Sequence, residues 1–168
     1  MTFATEQHIF NENPIDCVVS IAKGNHWPFT QHADDEASFM LQGRWKQQYD
    51  LGFFWHEEMH ALQLCCTTEL AVPPKKVAKM RELLVAINRQ SFLGFFDVAE
   101  DDNTLVYRYT SLLTNIGADV QAHVEEVIDI TVNEADRFMP ALLMVLQAKG
   151  EIANDLITTA IFDHAGEA

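Results

Sequence analysis

The sequence predicts an α+β domain: an antiparallel sheet of about five to six strands packed against helices, in the order α-β-β-β-β-α-β-β-α with a short helix to follow. Three observations lead there. The apolar spacing switches between a period near 3.6 and a period of two along the chain. The period-two stretches fall into two groups bounded by turn residues. A chain of 168 residues at 48% hydrophobic composition has enough apolar surface for one core and not for two comfortable ones. Helices lying between hairpin groups imply a sheet covered mainly on one face.

Each element has its own local reason. Residues 1–13 are polar and read as a flexible arm, leaving one domain over residues 14–168. Asn13 is a good N-cap and Pro14 a good first helical residue, and Ile15, Val18, Val19 and Ala22 recur at helical spacing up to Gly24. From His26 the period becomes two. WPFTQHA, the turn Asp34-Asp35 and ASFMLQG form a hairpin, KQQYDLGFFWH a third strand and HALQLCCTTEL a fourth, with Leu62, Leu64 and Cys66 on one side and Gln63, Cys65 and Thr67 on the other.

Val72-Pro73-Pro74 stops the sheet and opens a second helix whose apolar stripe is Val77, Met80, Leu84, Ile87 and Phe92, with Gly94 ending it. GFFDVAE, the turn DDNT and LVYRYTSLL make a second hairpin. A long amphipathic helix from Asp119 to Gly150 carries Val120, Val124, Val127, Ile128, Thr131, Ala135, Phe138 and Leu142, with a kink expected at Pro140 because proline removes one backbone hydrogen bond. EIANDLITTAIFDHA reads as a final short helix.

Charge narrows the partners. The formal net charge is -14, from 11 Lys and Arg against 25 Asp and Glu, which disfavours nucleic acid because its affinity comes largely from clustered cations. The local exception is PKKVAKMRELLVAINR, where Lys75, Lys76, Lys79, Arg81 and Arg89 make a basic helix, read first as a solvated face and second as a docking surface for an acidic segment. Cys17, Cys65 and Cys66 suit reduced thiols in the cytoplasm, since the two neighbours lie in a strand-like run where a mutual bridge would be strained. The N-terminus has neither the basic nor the apolar region of a signal peptide, and no apolar run is long enough to span a membrane.

One motif asks for chemistry. Residues 56–60 read HEEMH, the letters with which zinc hydrolases hold their metal, His56 and His60 as ligands and Glu57 activating water. On a helix the two imidazoles share a face; in a continuous strand residues four apart lie roughly 13 Å from one another and cannot share an ion. Leu51, Trp55, Met59, Leu62 and Cys66 fit a helical stripe, whereas Phe53-Phe54-Trp55, Cys65-Cys66-Thr67-Thr68 and the alternation from Leu62 to Cys66 favour strands around a turn at Glu57 to Met59. In the strand reading His56 and His60 are adventitious metal candidates only, and neither metal nor cofactor is expected. His8, His26, His32, His123 and His164 are scattered without ligand spacing, and GxSxG, GxGxxG after a strand and the P-loop are absent.

These blocks resemble the bacterial YbjN family, whose fold is similar to that of type III secretion chaperones. The resemblance rests on Gly43-Arg44-Trp45, FFWHEE at 53–58, Ala61-Leu62-Gln63, Leu70, Val72-Pro73, ELLVAIN at 82–88, LGFFDV at 93–98, YRYTSLL at 107–113 and NEADRFMPAL at 133–142. It implies a strand, turn and strand at HEEMH, and no established enzymatic activity. His56, His60 and Phe96 depart from the family pattern, which more often has Arg, Gly and His there. The resulting expectation is a non-enzymatic binding module, chaperone-like or regulatory, that is a homodimer and holds a partner polypeptide, with Trp45, Phe54, Trp55, Phe95 and Phe96 as candidate surface residues. A zinc-dependent hydrolase and a small-ligand sensor, with a pocket between sheet and long helix, are the alternatives.

Overall fold

The computed structural model describes residues 13–113 and 119–150. Its elements are α1 (Pro14–Gly24), β1 (Phe29–Ala33), β2 (Glu36–Gln42), β3 (Gln48–His56), β4 (Ala61–Ala71), α2 (Val77–Asn88), β5 (Gly94–Val98), β6 (Thr104–Leu112) and α3 (Val120–Gln147). The predicted order is therefore the observed one. The polar arm, apart from Asn13, and the short helix expected after Gly150 lie outside the described residues.

The strands form one six-stranded antiparallel sheet in the order β1-β2-β3-β4-β6-β5. Because successive side chains alternate, a row across the sheet belongs wholly to one face. Phe29, Phe39, Leu51, Cys66, Tyr107 and Phe96 are register partners on the face that meets the helices. The next row, Thr30, Ser38, Gly52, Cys65, Arg108 and Phe95, lies on the other. All three helices contribute to the core on the first face: Ile15, Val18 and Ala22 from α1, Met80, Leu84 and Ile87 from α2, and Val124, Phe138 and Leu142 from α3. Trp27, Phe39 and Phe53 stack in sequence there at 5.0 and 5.2 Å between ring centres.

The helix starts follow their caps. The Asn13 side chain accepts from the Ile15 N–H at 3.0 Å ahead of Pro14, and the Asp119 carboxylate accepts from Ala122 N–H at 2.9 Å. The ends of α3 and of the sheet are held by single side chains. Lys76 Nζ donates to the carbonyls of Val145, Leu146 and Ala148, placing a cation where α3's terminal carbonyls concentrate negative potential. The Asn88 amide imitates a strand residue, accepting from Phe96 N–H at 2.8 Å and donating to Phe96 C=O at 2.9 Å. This occupies the outer edge of β5 at its centre, the position where a foreign strand could otherwise add.

Candidate partner-binding surface

None of the described helices covers the second face of the sheet, and its centre is built from strands alone. Gly52 opens a gap there. A Cβ on Gly52 would lie 3.4 Å from Phe54 Cε2, so the Phe54 ring lies across the glycine of its own strand. Beside it stands Cys65, whose sulfur takes a hydrogen bond from Arg108 Nη1 at 3.3 Å, and beyond Arg108 lies Phe95, 49% exposed on the edge strand. Phe54, Cys65, Arg108 and Phe95 thus make one strip across four strands, with Met40 and Leu112 exposed farther along the same face. Burial pushes the Cys65 thiol up from its ordinary pKa, while the guanidinium pulls it back.

The five aromatic candidates do not form one surface. Phe54 and Phe95 share the open face. Trp55 and Phe96, their immediate neighbours, point the other way: Trp55 packs against the core, and Phe96, 5% exposed, meets Tyr107 and Phe138 at 4.8 and 5.8 Å.

Trp45 has a different task. Pro140 lacks the N–H that would bond the carbonyl of Asp136, four residues earlier, yet α3 runs unbroken through it. Trp45 Nε1–H donates to that freed carbonyl at 2.9 Å, leaving the ring 47% exposed.

The same aspartate is the principal feature that sequence reasoning missed. Asp136 is 5% exposed, and its carboxylate accepts from the Arg44 backbone N–H, 3.1 Å from each oxygen, and from the Tyr49 hydroxyl at 2.9 Å. A Cβ at Gly43 would meet Tyr49 Cε2 at 2.3 Å and Asp136 Oδ1 at 2.6 Å, so only glycine lets the β2–β3 turn approach so closely. Burial and the neighbouring carboxylate push the Tyr49 hydroxyl far up from its ordinary pKa, keeping it a donor. The signal was present: an acidic residue beside Ala135 on the apolar stripe of α3 requires buried donors.

HEEMH is a strand end and a tight turn. His56 ends β3, Glu57–Met59 form one 3₁₀ turn, and His60 takes the left-handed conformation at φ 47° before β4. His56 pairs across the hairpin with Ala61, and the His60 ring packs 6.3 Å from Trp55. The α-helical arrangement that lets two histidines share one zinc is replaced by a chain reversal. Among the described residues, no group of three or more His, Cys, Asp or Glu side chains could hold a metal ion.

Two other places imitate functional sites. Ser111 Oγ lies 2.7 Å from His123 Nε2, but Glu126 is 4.0 Å from Nδ1, beyond hydrogen-bond range. Ser111 is buried, and the pair ties β6 to the start of α3. Where β1 begins, a groove of about 850 Å³ follows the end of the sheet, lined by Trp27, Met40, Leu41, Glu69, Ile128 and Val132. It lies between the sheet and α3 but is an open groove, not the enclosed pocket that a ligand sensor calls for.

With this geometry in place, comparison with known proteins identifies the family. The model described as "Putative bacterial sensory transduction regulator", YbjN, matches residues 14–144. The chain belongs to the YbjN family. A structure described as "Crystal structure of YbjN, a putative transcription regulator from E. coli" resembles it with a TM-score of 0.50 at 15% identity, covering 75% of this chain and 91% of that one. Such a likeness concerns the fold. Among proteins of curated function no relative matches. The blocks that resemble the YbjN family turn out to be joints: Gly43-Arg44-Trp45 meets Asp136 of NEADRFMPAL, and Asn88 of ELLVAIN meets Phe96 of LGFFDV. No described helix is long and apolar enough to cross a membrane.

Proposed function

We propose that this YbjN-family chain is a non-enzymatic, chaperone-like regulatory module that holds a partner polypeptide on the helix-free face of its sheet. The observation that carries the reading is the strip Phe54, Cys65, Arg108 and Phe95, two aromatic side chains flanking a guanidinium on rigid strands. Arg and large aromatics dominate the energetics of protein interfaces, and seating them on strands lowers the entropy lost on binding. The family's description as a regulator supports the reading, as does the structural use of the motifs that resemble catalytic apparatus. The free thiols of Cys65 and Cys66 suit a reducing cytoplasm.

The test is site-directed photo-crosslinking in the native bacterium, with p-benzoylphenylalanine in place of Phe95. The expected result is one recurrent polypeptide joined at Phe95, lost when Phe54→Ser and Arg108→Glu are combined with the probe, and absent when the probe replaces Glu82 on α2. Recovery of a second copy of this chain in place of another polypeptide would make the face a dimer seam and overturn the proposal. So would crosslinks that ignore the two substitutions.

A further inference from the structure

The outward side of α2 presents a second surface, independent of the sheet face. Met80, Leu83, Leu84 and Ile87 face the core, so the opposite stripe is Ala78, Arg81, Val85 and Arg89, continuing into Phe92, which is 95% exposed. Of the five cations in this region, Lys76 is committed to the end of α3 and Lys79 pairs with Glu82 at 3.0 Å. Lys75, Arg81 and Arg89 stand exposed, interleaved with Val85 and Phe92. A basic and apolar stripe is out of keeping with a chain of net charge -14. It suits an acidic segment that also carries apolar side chains.

The chain contains such a segment, and it begins nearby. Residues 151–168 lie outside the described residues; their sequence, EIANDLITTAIFDHAGEA, holds Glu151, Asp155, Asp163 and Glu167, no Lys or Arg, and Ile152, Leu156, Ile157, Ile161 and Phe162. Because Lys76 grips the carbonyls of Val145, Leu146 and Ala148, residue 150 lies close to the N-terminal end of α2. At about 1.5 Å per residue the 12 residues of α2 run roughly 18 Å. Even in helical form, residues 151–168 span about 27 Å, long enough to follow the stripe past the end of α2 to Phe92. We propose that residues 151–168 dock on the Lys75, Arg81, Val85, Arg89 and Phe92 stripe of their own chain.

The experiment places p-benzoylphenylalanine at Val85 in the full chain, mixes isotopically light and heavy protein, and maps the crosslinks by mass spectrometry. Expected are crosslinks to residues 151–168 within one chain, falling about tenfold with Arg81→Glu plus Arg89→Glu and regained when Asp155→Arg and Asp163→Arg are added. Arg81 and Arg89 are exposed, and equal thermal melts of the variants separate lost docking from lost folding. Light-to-heavy crosslinks would assign the stripe to a second copy and overturn the intramolecular form. Crosslinks elsewhere, or a yield indifferent to charge reversal, would overturn the proposal outright. None of these outcomes bears on the Phe95 experiment, whose probe lies on the open face of β5.

Discussion

Cys65 and Cys66 are chemically identical neighbours on β4, and the sheet separates them completely. Cys66 belongs to the row with Leu51 and Tyr107 and is 2% exposed beneath the helices; Cys65 belongs to the row with Gly52 and Arg108 and reaches the open side. The difference teaches where selection for folding and room for binding divide in this molecule. On the covered face most side chains are buried among fixed neighbours, and Asp136, Tyr49 and Ser111, polar groups that enter it, are tied by hydrogen bonds. On the open face a glycine gap, a half-shielded thiol and a guanidinium make an arrangement that a densely packed core would not tolerate. A one-residue slip of β4 would exchange the two roles, so register is the property on which both depend.

The largest expected effect sets the two faces against each other directly. Phe53→Ala should cost about 3–5 kcal/mol, because Phe53 is fully buried against Phe39 and Leu64 and its loss leaves a cavity. Phe54→Ala, one residue on, should cost less than about 1 kcal/mol, the ring having only Gly52 and one sheet face to pack against. Urea unfolding of the two variants checks this, and equal losses would show that the open face is a core in its own right.

Next in size is the joint that aligns the covered face with α3. Asp136→Ala leaves the buried Tyr49 hydroxyl without its acceptor, at about 1–3 kcal/mol, and turns the part-buried Arg44 N–H to water at a smaller cost. The midpoint in urea should fall by an amount between those of the two phenylalanine variants. Asp136→Asn, which keeps an acceptor oxygen, should recover part of it.

Alkaline pH probes the same contrast more gently. Burial raises the pKa of Cys66 and Tyr49 and pushes Tyr107 up to about 12, so each loses its proton more readily in the unfolded chain than in the native one. The stability that these groups contribute is fully present below the unfolded pKa values, about 8.5 for Cys and about 10 for Tyr, and is lost as pH rises above them. Thermal melts between pH 8 and 11 should show a decline of about 1.4 kcal/mol per pH unit for each group in its window. Cys66→Ala should remove the earliest part of the decline, whatever its baseline cost in packing, and Cys65→Ala should change the slope less.

Much of this organisation was legible in the letters, for identifiable reasons. The alternation of Leu62, Leu64 and Cys66 with Gln63, Cys65 and Thr67 gives the faces of β4, and Asn13-Pro14 and Val72-Pro73-Pro74 punctuate the helices because their backbones admit little else. The HEEMH turn was legible too, once Phe53-Phe54-Trp55 and Cys65-Cys66 were weighed as strands. Less visible was which member of each aromatic pair is available. Phe54 with Trp55, and Phe95 with Phe96, are adjacent residues of similar size, and only the placement of the helices decides which is covered. The joint of Trp45 with the Asp136 carbonyl joins residues 91 positions apart in the sequence. Pro140 announces a free carbonyl, but no local rule says which distant N–H will reach it.

The smallest effect is kinetic and concerns the two thiols themselves. Toward a disulfide reagent at pH 8 the native protein should show one slow thiol on β4, Cys65, and one silent one, Cys66, since reaction requires both access and a thiolate. Burial already holds the Cys65 pKa above its ordinary value, and Arg108 is the group that opposes it. Arg108→Gln should therefore slow Cys65 a few-fold at pH 8, and the difference from the parent should shrink as pH rises and the thiolate fraction approaches one in both. An acceleration at every pH would mean that the guanidinium acts as a cover over the sulfur and not through its charge. The strip on the open face would then be held by packing, and its arginine would be free to turn outward and meet an acidic group on a partner.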